Sequence, residues 1–259
     1  MTDLNTRGDV LNLDESSKAG HFHPITQTIS EIVNIFSELG FKATEGPELE
    51  TEFNNFDALN VPKDHTSRDM QDTFWLKDSG SSIKENNNSI GKEGDRLLPR
   101  THTSPVQIRF MQNNQPPFRI ICPGKVFRNE ATDATHEAEF FQVEGMYIDK
   151  NVSVANLKFT FETFVKKFFG ENTEMRFRPC YFPFVEPGFE VDIKWKDRWL
   201  EVLGAGLVRT EVLEAGGVDS KEWSGFAFGM GLDRIVMLKY GIDDIRNMYS
   251  GDLRFVNQF

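Results

Sequence analysis

The chain has 259 residues, of which 39% are hydrophobic and 24 are phenylalanine, so it is long enough for one large domain with a sizeable core or for two small ones. Its 40 acidic and 29 basic residues give a formal net charge of −11, which argues against a protein that coats nucleic acid through clustered lysine and arginine. No apolar run approaches the roughly 18 residues that span a bilayer, no signal peptide is recognisable, and the two cysteines show no metal-ligand spacing, so we expect a cytoplasmic protein with free thiols.

In the first half of the chain, one segment is clearly helical. Residues 1–20 are polar and are expected to form a flexible lead-in to a single domain over residues 21–259. The stretch "HPITQTISEIVNIFSELG" (23–40) predicts a helix, because Pro24 suits a first helical turn and Gly40 a helix end. The stretch "DTFWL" (72–76) predicts a strand. Residues 78–96, rich in serine, asparagine, glycine and lysine, predict a mobile surface loop between two strands.

The second half alternates strand and turn signals. Residues 118–130 and 138–149 predict an antiparallel hairpin, and "NVSVANLKFTFETFVKKFFG" (151–170) predicts an amphipathic helix. Three further strands are predicted at 175–184, 189–195 and 198–206, followed by a glycine-opened helix at 229–241. Strands joined by hairpins with helices between them favour an α+β fold built on an antiparallel sheet.

The hairpin carries an unusual density of charge. Because side chains alternate faces along a strand, Arg128 and Glu130 share one face, and Gln142 and Glu144 share a face on the returning strand. If both polar faces point the same way, one cation, two carboxylates and an amide converge on one sheet surface. A guanidinium suits a phosphate oxygen, and a carboxylate can accept from an amine or an ammonium. The alternative is a solvated polar face, which charge alone favours. The acidic turn residues are open to that same interpretation: Asp133, Glu137 and Glu139.

Two other stretches carry chemistry-bearing residues. "GMGLDR" (229–234) places Arg234 near a helix start, where it would either bind phosphate or form a salt bridge at the edge of the core. "THTSP" (101–105) is either a helix-capping turn or part of a binding site. The sequence contains neither a P-loop motif nor a zinc-binding HExxH helix.

Taken in order, three stretches resemble the three motifs of class II aminoacyl-tRNA synthetases: residues 23–50, "FRNE" and "GMGLDR". A stronger resemblance, over nearly all of residues 21–259, is to the family of bacterial phenylalanyl-tRNA synthetase α subunits. It is carried by "GPELE", "FNNFDALNVP", "DTFWL", "THTSPVQIR", "RFRP", "YFPFVEPG", "SGFAFGMG" and "YGIDDIR".

The resemblance implies a six-stranded antiparallel sheet flanked by helices and a two-step, Mg²⁺-assisted reaction. The carboxylate of phenylalanine attacks the α-phosphate of ATP to give phenylalanyl-adenylate and pyrophosphate, and the acyl group then passes to the 2′-hydroxyl of the terminal adenosine of tRNA(Phe). The implied partner is a β subunit, in a heterotetramer of two α and two β subunits. Such a reaction depends mainly on positioning and charge stabilisation.

The resemblance also implies residue roles by matching positions. Arg128 and Arg234 would clamp the α- and γ-phosphates, with His136 as a further phosphate neighbour. Glu130 would receive the adenine amine, Phe140 would stack on adenine, and Glu186 would ligate a magnesium ion shared with the β subunit. The amino-acid pocket would comprise Trp75, His102, Ser104, Gln107, Gln142, Glu144, Phe182, Phe184, Ala227 and Gly229.

The chain departs from the family pattern in several places. The N-terminal helical hairpin that reaches tRNA in the family is not matched, which leaves tRNA binding by this chain open. Arg209 and Thr210 replace a Val-His-Pro pattern, and Phe141 replaces a histidine. A second hypothesis is therefore a non-charging paralogue that binds an amino acid or adenylate in a regulatory role. The full set of clamp and pocket residues favours the enzyme.

Overall fold

The computed structural model describes residues 20–69, 72–77, 83–85, 88–90 and 95–259, with backbone only for 83–85 and 88–90. Within these ranges the helices are α1 (Pro24–Glu38), α2 (Glu52–Asn55), α3 (Ser104–Asn113), α4 (Val154–Phe169), α5 (Thr210–Ala215), α6 (Leu232–Tyr240) and α7 (Leu253–Val256), with short 3₁₀ helices at Asp57–Leu59, Thr66–Arg68 and Ile245–Met248. The strands are β1 (Lys42–Ala43), β2 (Leu49–Thr51), β3 (Ile83–Glu85), β4 (Asn88–Ile90), β5 (Leu97–Pro99), β6 (Phe118–Phe127), β7 (Glu139–Asp149), β8 (Met175–Phe182), β9 (Val185–Trp195), β10 (Arg198–Val208) and β11 (Ser224–Gly231).

One seven-stranded sheet organises the molecule, in the order β1-β6-β7-β11-β10-β9-β8. Six of its strands are antiparallel, and the two-residue β1 pairs with β6 in parallel. The last strand in the chain, β11, lies between the β6–β7 hairpin and the β8–β9–β10 meander. The predicted α+β class with an antiparallel sheet is thus confirmed, and β1 adds a seventh strand to the six that the resemblance implies.

Two apolar clusters sandwich this sheet. One contains the inward faces of α1, α4 and α6, and the other contains those of α3 and α5. In the first cluster the Phe36 ring of α1 lies 5.2 Å from the Phe164 ring of α4 and 5.1 Å from the Phe228 ring of β11. The predicted helix from Pro24 to a stop at Gly40 is confirmed, because Leu39 caps α1 and Gly40 takes a left-handed φ of 82°.

The predicted strand at 72–76 is wrong. This segment is irregular because its side chains bond to the preceding 3₁₀ turn instead of to a neighbouring strand. The Thr73 hydroxyl donates to the Ser67 carbonyl (2.6 Å), and the Trp75 indole donates to the Arg68 carbonyl (3.1 Å). Among the described residues, a single backbone hydrogen bond links this segment to β5, from the Leu76 amide to the Leu97 carbonyl (3.0 Å).

Other predictions fall partly outside the described residues. The lead-in prediction concerns residues 1–20, of which 1–19 lie outside. Within the predicted loop at 78–96, six described residues form the antiparallel pair β3–β4, and 78–82, 86–87 and 91–94 lie outside. Both cysteines are free thiols, as predicted. Among the described residues, no helix has the length and apolarity to cross a membrane.

Candidate active site

A pocket of about 690 Å³ opens over the centre of the sheet, between α3, the loop after β6 and the start of α6. Strands β7, β10 and β11 form its floor, so residues far apart in sequence meet there. All but two of the predicted site residues line it: His102, Ser104, Gln107, Arg128, Glu130, His136, Phe140, Gln142, Glu144, Phe182, Phe184, Ala227, Gly229 and Arg234.

One end of the pocket is built around the buried carboxylate of Glu144 on β7, which is 5% exposed. It accepts hydrogen bonds from the Ser104 hydroxyl and from the Gln107 amide (Nε2–Oε2 3.0 Å), both on α3. Burial raises the pKa of Glu144 to about 7, although the Ser104 bond and the charge of Arg128 act in the opposite direction. A carboxylate in this position is a strong acceptor for a buried ammonium group.

Two further buried acceptors face the same space. Gln142 Oε1 and His102 Nδ1 have no hydrogen-bond partner in the part of the chain that the structure describes. Burial, reinforced by the charge of Arg128, lowers the pKa of His102 to about 3, so its ring is neutral. Because the ring also bonds to the Asn55 backbone, Nδ1 is left as the acceptor. A ligand with several N–H donors would satisfy these atoms.

Aromatic side chains form the wall of the pocket beside Glu144, and residues with small side chains form its floor. The rings of Phe182 and Phe184 stack with their centroids 5.8 Å apart. Ala227 and Gly229 on β11 lie beneath, and a side chain added at Gly229 would approach Glu144 Cγ to 3.1 Å. The small residues therefore leave room for a flat apolar group next to the buried carboxylate.

The pocket also carries cations. Arg128 donates from Nε to the Thr101 carbonyl (3.1 Å), and its guanidinium lies 4.9 Å from the centroid of the Phe140 ring and 3.9 Å from Glu130. The prediction that Arg128 and Glu130 share a strand face is wrong. Strand β6 ends at Phe127. The Arg128 amide still bonds across the hairpin to the Ala138 carbonyl (2.9 Å), but the Asn129 amide turns away to the Asp72 carbonyl (3.1 Å).

Arg234 enters the pocket from the first turn of α6. Gly229 and Gly231 lie at the end of β11, and Gly231 is also the N-cap of α6, whose first helical residue is Leu232. The buried Asp233 fixes this junction, since it accepts from the Phe141 amide (2.7 Å) and the Tyr249 hydroxyl.

Sequence reasoning missed Glu201, a carboxylate on β10 that lines the pocket. Burial raises its pKa first, followed by the charge of Glu190, and the positive charge of Arg234 acts in the opposite direction. The signal for it was an acidic residue inside the apolar strand "WLEVLG". A carboxylate beside Arg234 suits a Mg²⁺ ion that is held mainly through substrate phosphates.

Two predicted site residues lie outside the pocket lining. Trp75 lies one layer behind, where its ring packs 6.0 Å from that of Phe56, which does line the pocket. Glu186 has an exposed carboxylate that is ion-paired with Arg209, one of the departures from the family pattern. Among the described residues, no cluster of three or more histidine, cysteine, aspartate or glutamate side chains could hold a metal. Glu186 in this chain therefore fits a metal ligand poorly.

Comparison with known proteins identifies clear relatives. The family model for the class II core domain (F) of tRNA synthetases matches residues 8–259. The phenylalanine–tRNA ligase α subunit of Dehalococcoides mccartyi is 51% identical, over 93% of this chain and 70% of the relative. The α subunit of Prochlorococcus marinus is 50% identical, over 93% of this chain and 66% of the relative. That of Leptospira biflexa is 49% identical, over 97% of this chain and 72% of the relative. A pyrrolysyl-tRNA synthetase from Desulfitobacterium hafniense shares the fold, with a TM-score of 0.63 and 16% identity over 88% of this chain and 74% of that one.

Proposed function

This chain belongs to the family of class II tRNA synthetase core domains, and from that premise we propose that it acts as the α subunit of a phenylalanine–tRNA ligase. It activates L-phenylalanine with ATP and transfers the acyl group to the 2′-hydroxyl of the terminal adenosine of tRNA(Phe). The observation that carries the proposal is the pairing of a buried carboxylate, Glu144, with an adjoining ring-sized apolar space, in one pocket with two arginines.

The amino acid binds at the Glu144 end. Its ammonium donates to Glu144, to Gln142 Oε1 and to His102 Nδ1; all three residues line the pocket, and the last two atoms are buried acceptors without a partner among the described residues. Its phenyl ring lies against Phe182 and Phe184, where aromatic pairs gain about 0.5–1.5 kcal/mol beyond area burial. Trp75 supports this wall from behind Phe56.

ATP binds beside Arg128 and Arg234. Adenine stacks on Phe140 and donates its amine to Glu130, while Arg128 reaches the α-phosphate, Arg234 the γ-phosphate and His136 a further phosphate oxygen. The bond from Arg128 to the Thr101 carbonyl holds the guanidinium in place before substrate arrives. A preorganised cation stabilises the charge that develops on phosphorus during attack by the amino-acid carboxylate.

Magnesium supplied with ATP would neutralise phosphate charge, and Glu201 is the pocket carboxylate positioned to hold it. The magnesium role of Glu186 stays a prediction that requires the β subunit, because Arg209 already neutralises that carboxylate. The proposed assembly with a β subunit, the contact with tRNA(Phe) and the cytoplasmic location rest on the family and on the names of the relatives.

Phenylalanine-dependent exchange of pyrophosphate into ATP tests the proposal, with the chain alone and mixed with a β subunit from a close relative. We expect exchange with phenylalanine and background exchange with leucine. The variant Glu162→Gln on the exposed face of α4 is a control that should exchange normally. Absence of phenylalanine-dependent exchange in both preparations would overturn the proposal and favour a non-charging binding protein.

A further inference from the structure

Asp133, in the loop between β6 and β7, is bonded to its neighbours despite being 58% exposed. Its Oδ1 accepts from the Thr135 amide (2.6 Å), the Thr135 hydroxyl (2.8 Å) and the His136 amide (2.9 Å). The Nδ1 of the His136 ring lies 3.0 Å from both carboxylate oxygens. On sequence grounds this aspartate was open to interpretation as solvated charge. Its contacts are those of a residue that shapes the loop and orients one imidazole.

The chemistry of the carboxylate fixes the tautomer of that imidazole. Hydrogen bonds from Thr135 and His136 hold the pKa of Asp133 well below its usual range, so the group stays ionised and only accepts hydrogen bonds. The ring nitrogen beside it, Nδ1, therefore carries a proton. The other nitrogen, Nε2, holds a lone pair in the neutral ring and a second proton in the charged ring.

The loop is also fixed relative to the pocket. The Asp133 amide donates to the His136 carbonyl (3.0 Å), and the Ile245 amide of a 3₁₀ helix donates to the Ala134 carbonyl (2.9 Å). His136 lines the pocket next to the charged residues Arg128, Glu130 and Glu137 of its own loop. From α6 the pocket receives Asp233 and Arg234, and the 3₁₀ helix brings Asp244 and Arg246 close enough to interact electrostatically with Asp133.

We propose that Asp133 is a positioning residue that holds His136 as the Nδ1–H tautomer and leaves Nε2 as the ring atom for a nucleotide phosphate. The phosphate as ligand rests on the function proposed above, whereas the tautomer stands on the geometry alone. The protonated ring donates from Nε2 to a phosphate oxygen. The neutral ring presents a lone pair to the phosphate, so His136 contributes to ATP binding only while it is charged.

The variant Asp133→Asn separates this role from a purely structural one. Asparagine Oδ1 can keep the three bonds to Thr135 and His136, while its amide nitrogen takes the place of Oδ2, 3.0 Å from Nδ1. That amide donates, so Nδ1 becomes the acceptor and the neutral ring carries its proton on Nε2. The variant therefore keeps a phosphate donor after the ring has lost its charge.

Two measurements test the proposal. In ¹⁵N-histidine NMR spectra at alkaline pH, with His136 assigned among the five histidines by comparison with His136→Asn, the neutral wild-type ring should be Nδ1-protonated and the Asp133→Asn ring Nε2-protonated. In exchange kinetics at saturating phenylalanine, the KM for ATP of the wild type should be about tenfold higher at a pH where NMR shows a neutral His136 ring than at a pH where it shows a charged ring, the loss of one charge-assisted hydrogen bond. Over the same change of pH, the KM for ATP of Asp133→Asn should change by no more than about twofold beyond the change seen in His136→Asn.

The His136→Asn variant removes the ring, so the pH dependence of its KM for ATP comes from the titration of ATP itself. All variants share that contribution. Glu162→Gln, which removes one exposed acidic charge on α4, should keep the wild-type pH profile. An Nε2-protonated neutral ring in the wild type would overturn the proposal, as would an Asp133→Asn variant whose KM for ATP follows the wild-type pH profile. The NMR measurement of the tautomer does not depend on whether the chain activates phenylalanine. Failure of the tautomer proposal can therefore be told apart from failure of the proposed function.

Discussion

Among single residues, Glu144 is a buried carboxylate that lines the pocket and accepts two hydrogen bonds from α3. Burying a carboxylate is unfavourable unless hydrogen bonds and cations compensate. Ser104 and Gln107 supply the bonds, and Arg128 and Arg100 supply positive charge. With its pKa raised to about 7, the group changes charge in the physiological range, and only its ionised form attracts an ammonium ion.

The pH dependence of phenylalanine use should follow this titration. As pH rises through about 7, the ionised fraction of Glu144 increases, so kcat/KM for phenylalanine should rise. The variant Glu144→Gln should lose most of that activity and also lose this ascending limb. Exchange rates measured against phenylalanine at saturating ATP separate this effect from that of His136. An unchanged limb in Glu144→Gln would contradict the assignment.

The same titration predicts an effect on stability with a definite sign. The folded-state pKa lies above the ordinary value of 4.5, so the folded chain binds more protons between those values, and stability falls as pH rises through that window. Between about pH 5 and pH 8 the loss from this group should be on the order of 2 to 3 kcal/mol. Urea unfolding of Glu144→Gln should show a smaller loss over this range than the wild type.

Arg128 gives a second prediction at this scale. Replacing it with alanine removes a preorganised cation, and such a loss costs about 3 kcal/mol, or roughly a hundredfold or more in rate. Pyrophosphate exchange should fall by that amount, while the circular dichroism spectrum stays native. Arg254→Ala, on the exposed α7, is the matched control and should exchange normally. Near-wild-type exchange in Arg128→Ala would contradict the clamp role.

Most of the site residues predicted from the sequence line the pocket, but they were predicted through motif resemblance more than through residue chemistry. Charge patterning alone favoured a solvated hairpin, because nothing in it showed that Arg128, Glu144 and Arg234 converge. Glu201 escaped prediction because its role depends on its neighbours across the sheet, which a single strand does not display. Asp133 escaped because its contacts lie within a turn whose geometry has no sequence periodicity.

Between elements, β7 and its antiparallel neighbour β11 approach closely at Gly145. A Cβ at Gly145 would lie 2.4 Å from the Phe228 ring and 2.8 Å from the Ile120 carbonyl, so Gly145→Ala should separate these strands. We expect a loss of about 1–3 kcal/mol in the free energy of unfolding, as for other overpacked cores. Gly20→Ala, with no atom within 4 Å of the added Cβ, should unfold like the wild type. Equal stability of the two variants would contradict this packing.

Helices and strands were predicted well where the pattern that specifies them lies within their own sequence, and poorly where it depends on distant partners. Helices α1 and α4 and strands β6 to β10 carry their periodicity within their own sequence, and all were found. The segment at 72–76 has strand composition, but its side chains donate to backbone carbonyls of the preceding turn. The two-residue β1 is too short for a pattern and exists through its pairing with β6.

Across the whole molecule, stability depends on aromatic contacts that join separate layers. Phe36, which is fully buried, contacts rings from α4 and β11. Truncation to alanine leaves a cavity at this junction, and such changes cost about 3–5 kcal/mol. The midpoint of urea unfolding should fall accordingly for Phe36→Ala. The midpoint should barely move for Phe159→Ala, whose ring on α4 is 63% exposed. Similar midpoints for the two variants would contradict the role of Phe36 in joining the layers.

The central position of β11 has a consequence for how the protein is made. On the ribosome, strands β6 to β10 emerge first, as a hairpin and a separate meander whose facing edges both lack a partner until β11 arrives. Glu144 and Phe182 lie on opposite sides of that gap. At about 5–20 residues per second, the nascent chain spends several seconds with these edges open to pairing with other chains. A translational pause before Ser224 would lengthen that interval, so chaperone binding during synthesis should concentrate there.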